Sequence, residues 1–187
     1  AHFFVVQNIT EESKEVIYAY GMELLISDVL NTIIVLLIAL FSHTLPAVVV
    51  FIAVFMGLRQ FVGGFHANSH LSCMFTLVMV MMVFSYGICN VSGHITPIFS
   101  ISFIMIALPI ILCIAPVPHP NKPMSEEKSV KLRKRSCILA VTLSVVTIAL
   151  LVFQYQKLSL YVSSGMLLSA IMALLGHFLN RGDNSKR

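Results

Sequence analysis

Long stretches without a charge, separated by short polar connections, set the pattern of this chain. Apolar runs cover residues 24–45, 46–58, 71–91, 95–117, 138–155 and 158–179. A hydrocarbon core about 30 Å thick is crossed by about 20 mostly apolar residues when they are helical. A helix also satisfies its own backbone in lipid, where water cannot. The runs do not alternate apolar with polar residues, as the strands of a transmembrane barrel would. The pattern therefore predicts an all-α, polytopic membrane bundle of about six hydrophobic helices. The second run is too short to span unaided; it borrows residues from its neighbours, tilts into a thinned bilayer, or is re-entrant.

Ahead of the first run, Asn8 and Glu11 have capping-box spacing, although Asn is not the usual first member. Ile17, Tyr20 and Leu24 then share one face, with Glu11, Glu12 and Glu15 near the start. This predicts an N-terminal interfacial helix over 8–23 that leads into the bundle. The segment lacks the basic start and apolar core of a signal peptide, and a chain opening at Ala1 raises the expectation of a trimmed start. With no internal repeat or low-complexity tract, residues 1–187 read as a single integral membrane domain.

Composition agrees with the pattern. The chain is 58% apolar and only 11% charged, with a mean hydropathy of +0.92. A soluble domain carries about a quarter of its residues as Asp, Glu, Lys or Arg, so too few charges remain here to coat a surface facing water. The net charge of +4 then reports topology. With the N-terminus inside and all six runs crossing, Lys14, Arg59, the six basic residues of 122–135, Arg181, Lys186 and Arg187 face the cytoplasm, and Lys157 alone faces out. Eleven of twelve on one side is a strong positive-inside pattern. It places both termini in the cytoplasm, and a re-entrant hairpin in the first two runs would leave the sidedness unchanged. The basic cytoplasmic loop over 118–136 has no aromatic residue within its basic part, 122–135, for bases to stack on. It is read as an orientation signal with contact to anionic lipid, and no nucleic-acid partner is expected.

Polar residues at a membrane boundary are the best pointers to function in such a chain. They concentrate in 57–73, between the second and third runs, which holds Arg59, Gln60, Gly63-Gly64, His66, His70 and Cys73. A Gly pair permits a sharp bend. A Cys and a His supply a nucleophile and a base, and an imidazolium or a helix N-terminus raises the thiolate fraction. Asn68 or Ser69 is a candidate cap for the third helix, leaving Cys73 in its first two turns. On one continuous helix, residues seven apart stand about 10 Å from each other. A His66–Cys73 pair therefore requires the chain to turn between them; the alternative is that both serve topology or packing.

The stretch Arg59…Gly63-Gly64-Phe65-His66-Ala67…Cys73 resembles the signature of the accessory gene regulator B family, membrane endopeptidases that process precursors of cyclic autoinducing peptides in Gram-positive bacteria. The likeness extends to Ala115-Pro116-Val117, Asn121-Lys122-Pro123 and the basic stretch ending at Ser136, and to the hydropathy layout. It implies His66 as catalytic base and Cys73 as nucleophile. It further implies cleavage on the C-terminal side of the peptide core, an acyl-enzyme thioester, and ring closure to a thiolactone or lactone by a core Cys or Ser. The implied partners are a propeptide with an amphipathic leader and an acidic tail, membrane lipids, and a second copy in a homodimer.

Among the neighbours, Arg59 is a candidate for holding a substrate carboxylate or oxyanion, or else a positive-inside anchor. Gln60 and the backbone at Gly63 and Gly64 are candidate oxyanion donors. Glu23 and Asp28 are candidate orienting groups for His66, or else cap, snorkel or pair with Lys14. Lys131, Arg133, Lys134 and Arg135 are candidates for docking the precursor's acidic tail. No cofactor is expected. Two other classes compete. His66, His70 and Cys73 fall at i, i+4 and i+7, one helix face of zinc-binding side chains, but no Glu follows His66 as in HExxH proteases. A small transporter calls for ionisable residues near mid-membrane or an internal repeat, and the middles of the last four runs hold none beyond cysteine. Cys89, Cys113 and Cys137, without CxxC spacing, read as small hydrophobes. His43, His94, His119 and His177 read as boundary residues.

Overall fold

The computed structural model describes residues 15–63, 70–117 and 126–184. They form six α-helices: α1 (Glu15–Phe41), α2 (Leu45–Val62), α3 (His70–Met82), α4 (Thr96–Ile114), α5 (Glu126–Val152) and α6 (Gln156–Asn184). A π-helical turn (Val83–Gly87) and a 3-10 turn (Ile88–Asn90) continue α3. Four helices hold stretches long and apolar enough to cross a bilayer: Leu45–Val62, Thr96–Ile114, Ser129–Val152 and Gln156–Phe178. Shorter apolar stretches lie at Val29–Phe41 and Val78–Asn90. The chain is thus an all-α, multi-pass membrane bundle.

Three boundaries differ from the hydropathy reading. The second run is not confined to 46–58; α2 has 18 residues and ends at Val62. Arg59 and Gln60 interrupt the apolar run without interrupting the helix, because the Arg59 guanidinium folds back over the Phe55 ring, 5.5 Å from its centroid. The basic segment is not a loop throughout, since Glu126 to Arg135 are the first turns of α5. Strong helix formers fill it, and Glu127 accepts a 2.7 Å bond from Lys131 one turn on. From Glu15 onward the chain is one helix with the first apolar run; the start of the 8–23 segment, with Asn8, Glu11 and Lys14, lies outside the described residues.

Helix α6 is the central element. More than half of its apolar window is buried, 56%, against 22–33% in the other three long spans. Its buried face is rich in small residues, Ser159, Ser163, Ser164, Gly165, Ser169, Ala170 and Ala173, beside Leu160, Val162 and Met166. Small side chains let backbones approach, the usual means of helix association in lipid, where the solvent is as apolar as Leu. At Gly165 an added Cβ would stand 2.9 Å from the Phe51 carbonyl oxygen. The serine hydroxyls are satisfied locally or across helices. Ser169 bonds the Gly165 and Phe55 carbonyl oxygens at 3.0 and 3.4 Å, and Ser100 and Ser159 share a 3.0 Å bond. No buried side-chain nitrogen or oxygen among the described residues lacks a partner.

Two apolar clusters flank this spine. Val35, Ala39, Ala47, Val48, Phe51, Met81 and Phe84 pack where α1 hands over to α2, with Phe51 and Phe84 stacked at 4.2 Å. Leu58, Val62, Ile111, Val117 and Met166 belong to the other, where α2 and α4 end. The outward faces carry exposed Leu40, Phe41, Met105, Val145 and Val152, as a bilayer-facing surface should.

Helices α1 and α5 each close on a left-handed residue that is not glycine: His43 at φ 54° and Gln154 at φ 66°. The Tyr155 N–H reaches back to the Leu150 carbonyl at 2.8 Å, the wrap that normally selects glycine. Gln154→Gly should therefore raise the stability of the purified protein by about 1 kcal/mol, read as a higher melting temperature.

Candidate active site

The polar segment 57–73 straddles the end of α2 and the start of α3. Leu58 and Val62 anchor the last turn of α2 in the core, which leaves Arg59 half-buried and Gln60 exposed. Gly63 caps the helix at φ 73°, ψ −151°, a region open to glycine alone. Its N–H donates to the Arg59 carbonyl at 3.0 Å and closes the helix. Gly64, Phe65 and His66 lie outside the described residues. The described part of α3 runs from His70 and carries Cys73; the side chains of His70 and Cys73 are likewise outside the described set.

A third segment meets this one. Where α4 ends, the chain runs extended through Ala115 to Val117, both buried. The Val117 N–H donates to the Val62 carbonyl at 2.9 Å, and Gly63 and Val117 form an isolated parallel bridge. The approach is so close that a Cβ on Gly63 would stand 2.5 Å from the Val117 oxygen. The two stretches that carry the family likeness, 59–73 and 115–117, are thus joined through backbone. Sequence reading noted both and assigned Val117 no part. A Pro just past a helix end was the available signal, but nothing in it names a partner 54 positions away.

Lys131, Arg133, Lys134 and Arg135 are exposed on the first turns of α5, with Lys131 paired to Glu127. The side chains of Glu23 and Asp28 are outside the described residues. Cys89 is half-buried in the turn closing the α3 segment, Cys113 is exposed on α4 and Cys137 half-buried on α5. An apolar cleft of about 280 Å³ opens between Phe51, Phe84, Phe103 and Leu168. Its lining includes no titratable group, so proton transfer does not belong there.

Fold and site define a class: a multi-pass membrane protein with a Gly-capped helix end followed in sequence by a Cys-bearing helix. The family model of accessory gene regulator B matches residues 1–173, and the chain belongs to that family. It is also similar to a Clostridium beijerinckii protein described as AgrB-like, 24% identical over 134 residues. That match takes in 70% of this chain and 65% of the relative, just under two thirds of the relative's length. No solved structure matches the chain. Family membership ties the protein to the accessory gene regulator system of quorum sensing.

Proposed function

We propose that this protein is a membrane cysteine endopeptidase that cuts the C-terminal tail from a quorum-sensing propeptide and promotes cyclisation of what remains. The observation that carries the reading is Cys73 on α3, close in sequence to the Gly63 cap and His66 in a chain of this family. The Cys73 thiolate attacks the carbonyl at the C-terminal edge of the core. The C–N bond breaks, and the tail leaves as an amine after taking a proton from His66. The core remains on Cys73 as a thioester. A core Cys or Ser side chain then attacks the same carbonyl, Cys73 departs as thiolate, and the ring closes as a thiolactone or lactone without consuming water. The positive-inside distribution supports an active site facing the cytoplasm of a Gram-positive cell, where a ribosomal precursor arrives.

One assay tests reaction and sidedness together. A synthetic precursor added to inside-out vesicles bearing the protein should yield free tail and cyclic core by mass spectrometry, and sealed right-side-out vesicles should yield neither. Uncut precursor in both would refute the reading; cutting in right-side-out vesicles alone would refute the orientation.

The basic start of α5 is proposed to hold the acidic tail. Exposed pairs are worth about 0–1 kcal/mol each, so single substitutions should barely register. Changing Lys131, Arg133, Lys134 and Arg135 together to Gln, with Lys122 and Lys128 kept for orientation, should raise KM by about tenfold at low salt. The difference should fade as salt rises. An unchanged KM in a correctly inserted variant would leave these residues with topology alone.

A further inference from the structure

Where α3 gives way to its π-helical turn, Val83–Gly87, the wall of the bundle opens into the apolar cleft of about 280 Å³. A wider turn leaves backbone groups to be satisfied outside the regular ladder, and turns of this kind recur at functional sites. Here those groups have partners. The Asn90 amide donates to the Ser85 and Tyr86 carbonyls at 3.3 and 3.0 Å. The buried Ser85 hydroxyl accepts from Thr44 at 3.2 Å. Phe84 is fixed as part of the floor, its ring stacked on Phe51 at 4.2 Å and meeting Tyr161 edge-on at 5.9 Å.

Chemistry, depth and size select the occupant. The lining side chains are apolar apart from Ser164, whose hydroxyl donates to the Tyr161 carbonyl at 2.9 Å, so the lining offers a ligand no side-chain donor. The lining residues Met79, Val83 and Ile171 are exposed, which makes the cleft continuous with the surface that the bundle turns to lipid. At a rise of about 1.5 Å per residue, Phe51 and Phe103 lie about 10 Å from the ends of their helices at Leu45 and Thr96. That depth falls inside a hydrocarbon core about 30 Å thick, where the surrounding molecules are acyl chains. A void there forfeits dispersion contacts on every wall. The volume is near the lower end of the range for ligand pockets, about 300–1,000 Å³. A helix with its side chains is about 10–12 Å across, too broad to enter, whereas an unbranched chain is slender enough.

We propose that this cleft is a binding seat for one acyl chain of a membrane phospholipid, with the π-helical turn as its floor. The chain lies against Phe84 and Phe51, and its headgroup stays at the membrane surface where α2 and α4 begin. The bound lipid then links α3 to α4 and α6 at a level where their side chains leave a gap. The seat does not depend on the peptidase chemistry.

The probe is a phosphatidylcholine with a diazirine in the middle of one acyl chain, built with the full chain into nanodiscs of plain phosphatidylcholine. After irradiation, peptide mass spectrometry should find Met79, Val83, Phe84 and Ile171 labelled about tenfold more than Met105 and Val145, which are exposed on outward faces. Phe84 is the sharpest reporter, because it is buried and ordinary boundary lipid does not reach it. Val80→Phe and Ile171→Trp fill the cleft from two different helices. Each should cut labelling of Phe84 by about tenfold and leave that of Met105 unchanged. Met105→Phe, the control, should change nothing at Phe84. Equal labelling of Met79, Val83, Met105 and Val145, with none at Phe84, would overturn the proposal from the parent protein alone, whether or not the variants fold. Label that persists at Phe84 in both filled variants would place the chain elsewhere and overturn it too. Loss of the Phe84 label on adding precursor, or on loading two copies per disc in place of one, would give the cleft to the precursor's leader or to a second copy, and would likewise overturn it.

Discussion

Cys73→Ala should abolish tail release and ring formation, a loss on the order of 10⁴-fold or more, with expression and membrane insertion unchanged. The expected size follows from the chemistry. Removing a nucleophile removes the covalent route entirely, whereas changing a residue that only binds substrate lowers affinity. Cys73→Ser should fail almost as completely, because a hydroxyl at this position has none of the thiolate character that a helix start and an imidazolium confer on sulfur. The other three cysteines serve as internal controls. Cys89 lies 16 residues further along the α3 segment, about 24 Å away at helical rise. Cys113 is on α4 and Cys137 on α5. Their alanine variants should process precursor at near-parental rates. A precursor whose core nucleophile is changed to Ala should, in the parent protein, leave the core trapped on Cys73 as a thioester visible in the intact mass. Full processing by Cys73→Ala would end the cysteine-peptidase reading.

Hydropathy made the architecture legible because the bilayer imposes it. An uncharged run of about 20 residues has few alternatives to a helix. What hydropathy could not see is where helices end, since a helix and an apolar run are bounded by different physics. Arg59 ends the run but not α2, because its stem and guanidinium find Phe55. The 126–135 stretch is polar yet helical, because Glu127 and Lys131 favour the turn that brings them together. The site was legible as residue types and spacing in 57–73. The Val117 N–H to Val62 bond was not, because a hydrogen bond between two backbones leaves no periodic trace in side chains. Only the glycine that makes room for it is written in the sequence, and a glycine has several meanings.

His66→Ala should lower processing by about 10²–10⁴-fold, the range expected for losing a general base, and should leave Cys73 present but poorly ionised. His70→Ala should be much milder. This contrast separates two chemistries that share residues. In the peptidase, His66 acts on Cys73 alone, and the chain must turn between them. The end of α2 on the Gly63 cap is compatible with that turn. In a zinc site, His66, His70 and Cys73 would act as one ligand set, and losing either His would be equally damaging. His70 and Cys73 both lie on α3, one turn apart, so the importance of His70 is the discriminating quantity. Reagents give a second discriminator. Thiol alkylation should inactivate the parent protein, and Cys73 should be the modified residue, while chelators should leave the rate within about twofold because no ligand set is being emptied. Chelator inactivation reversed by zinc, together with a His70→Ala loss as deep as that of His66→Ala, would assign these three residues to a metal instead.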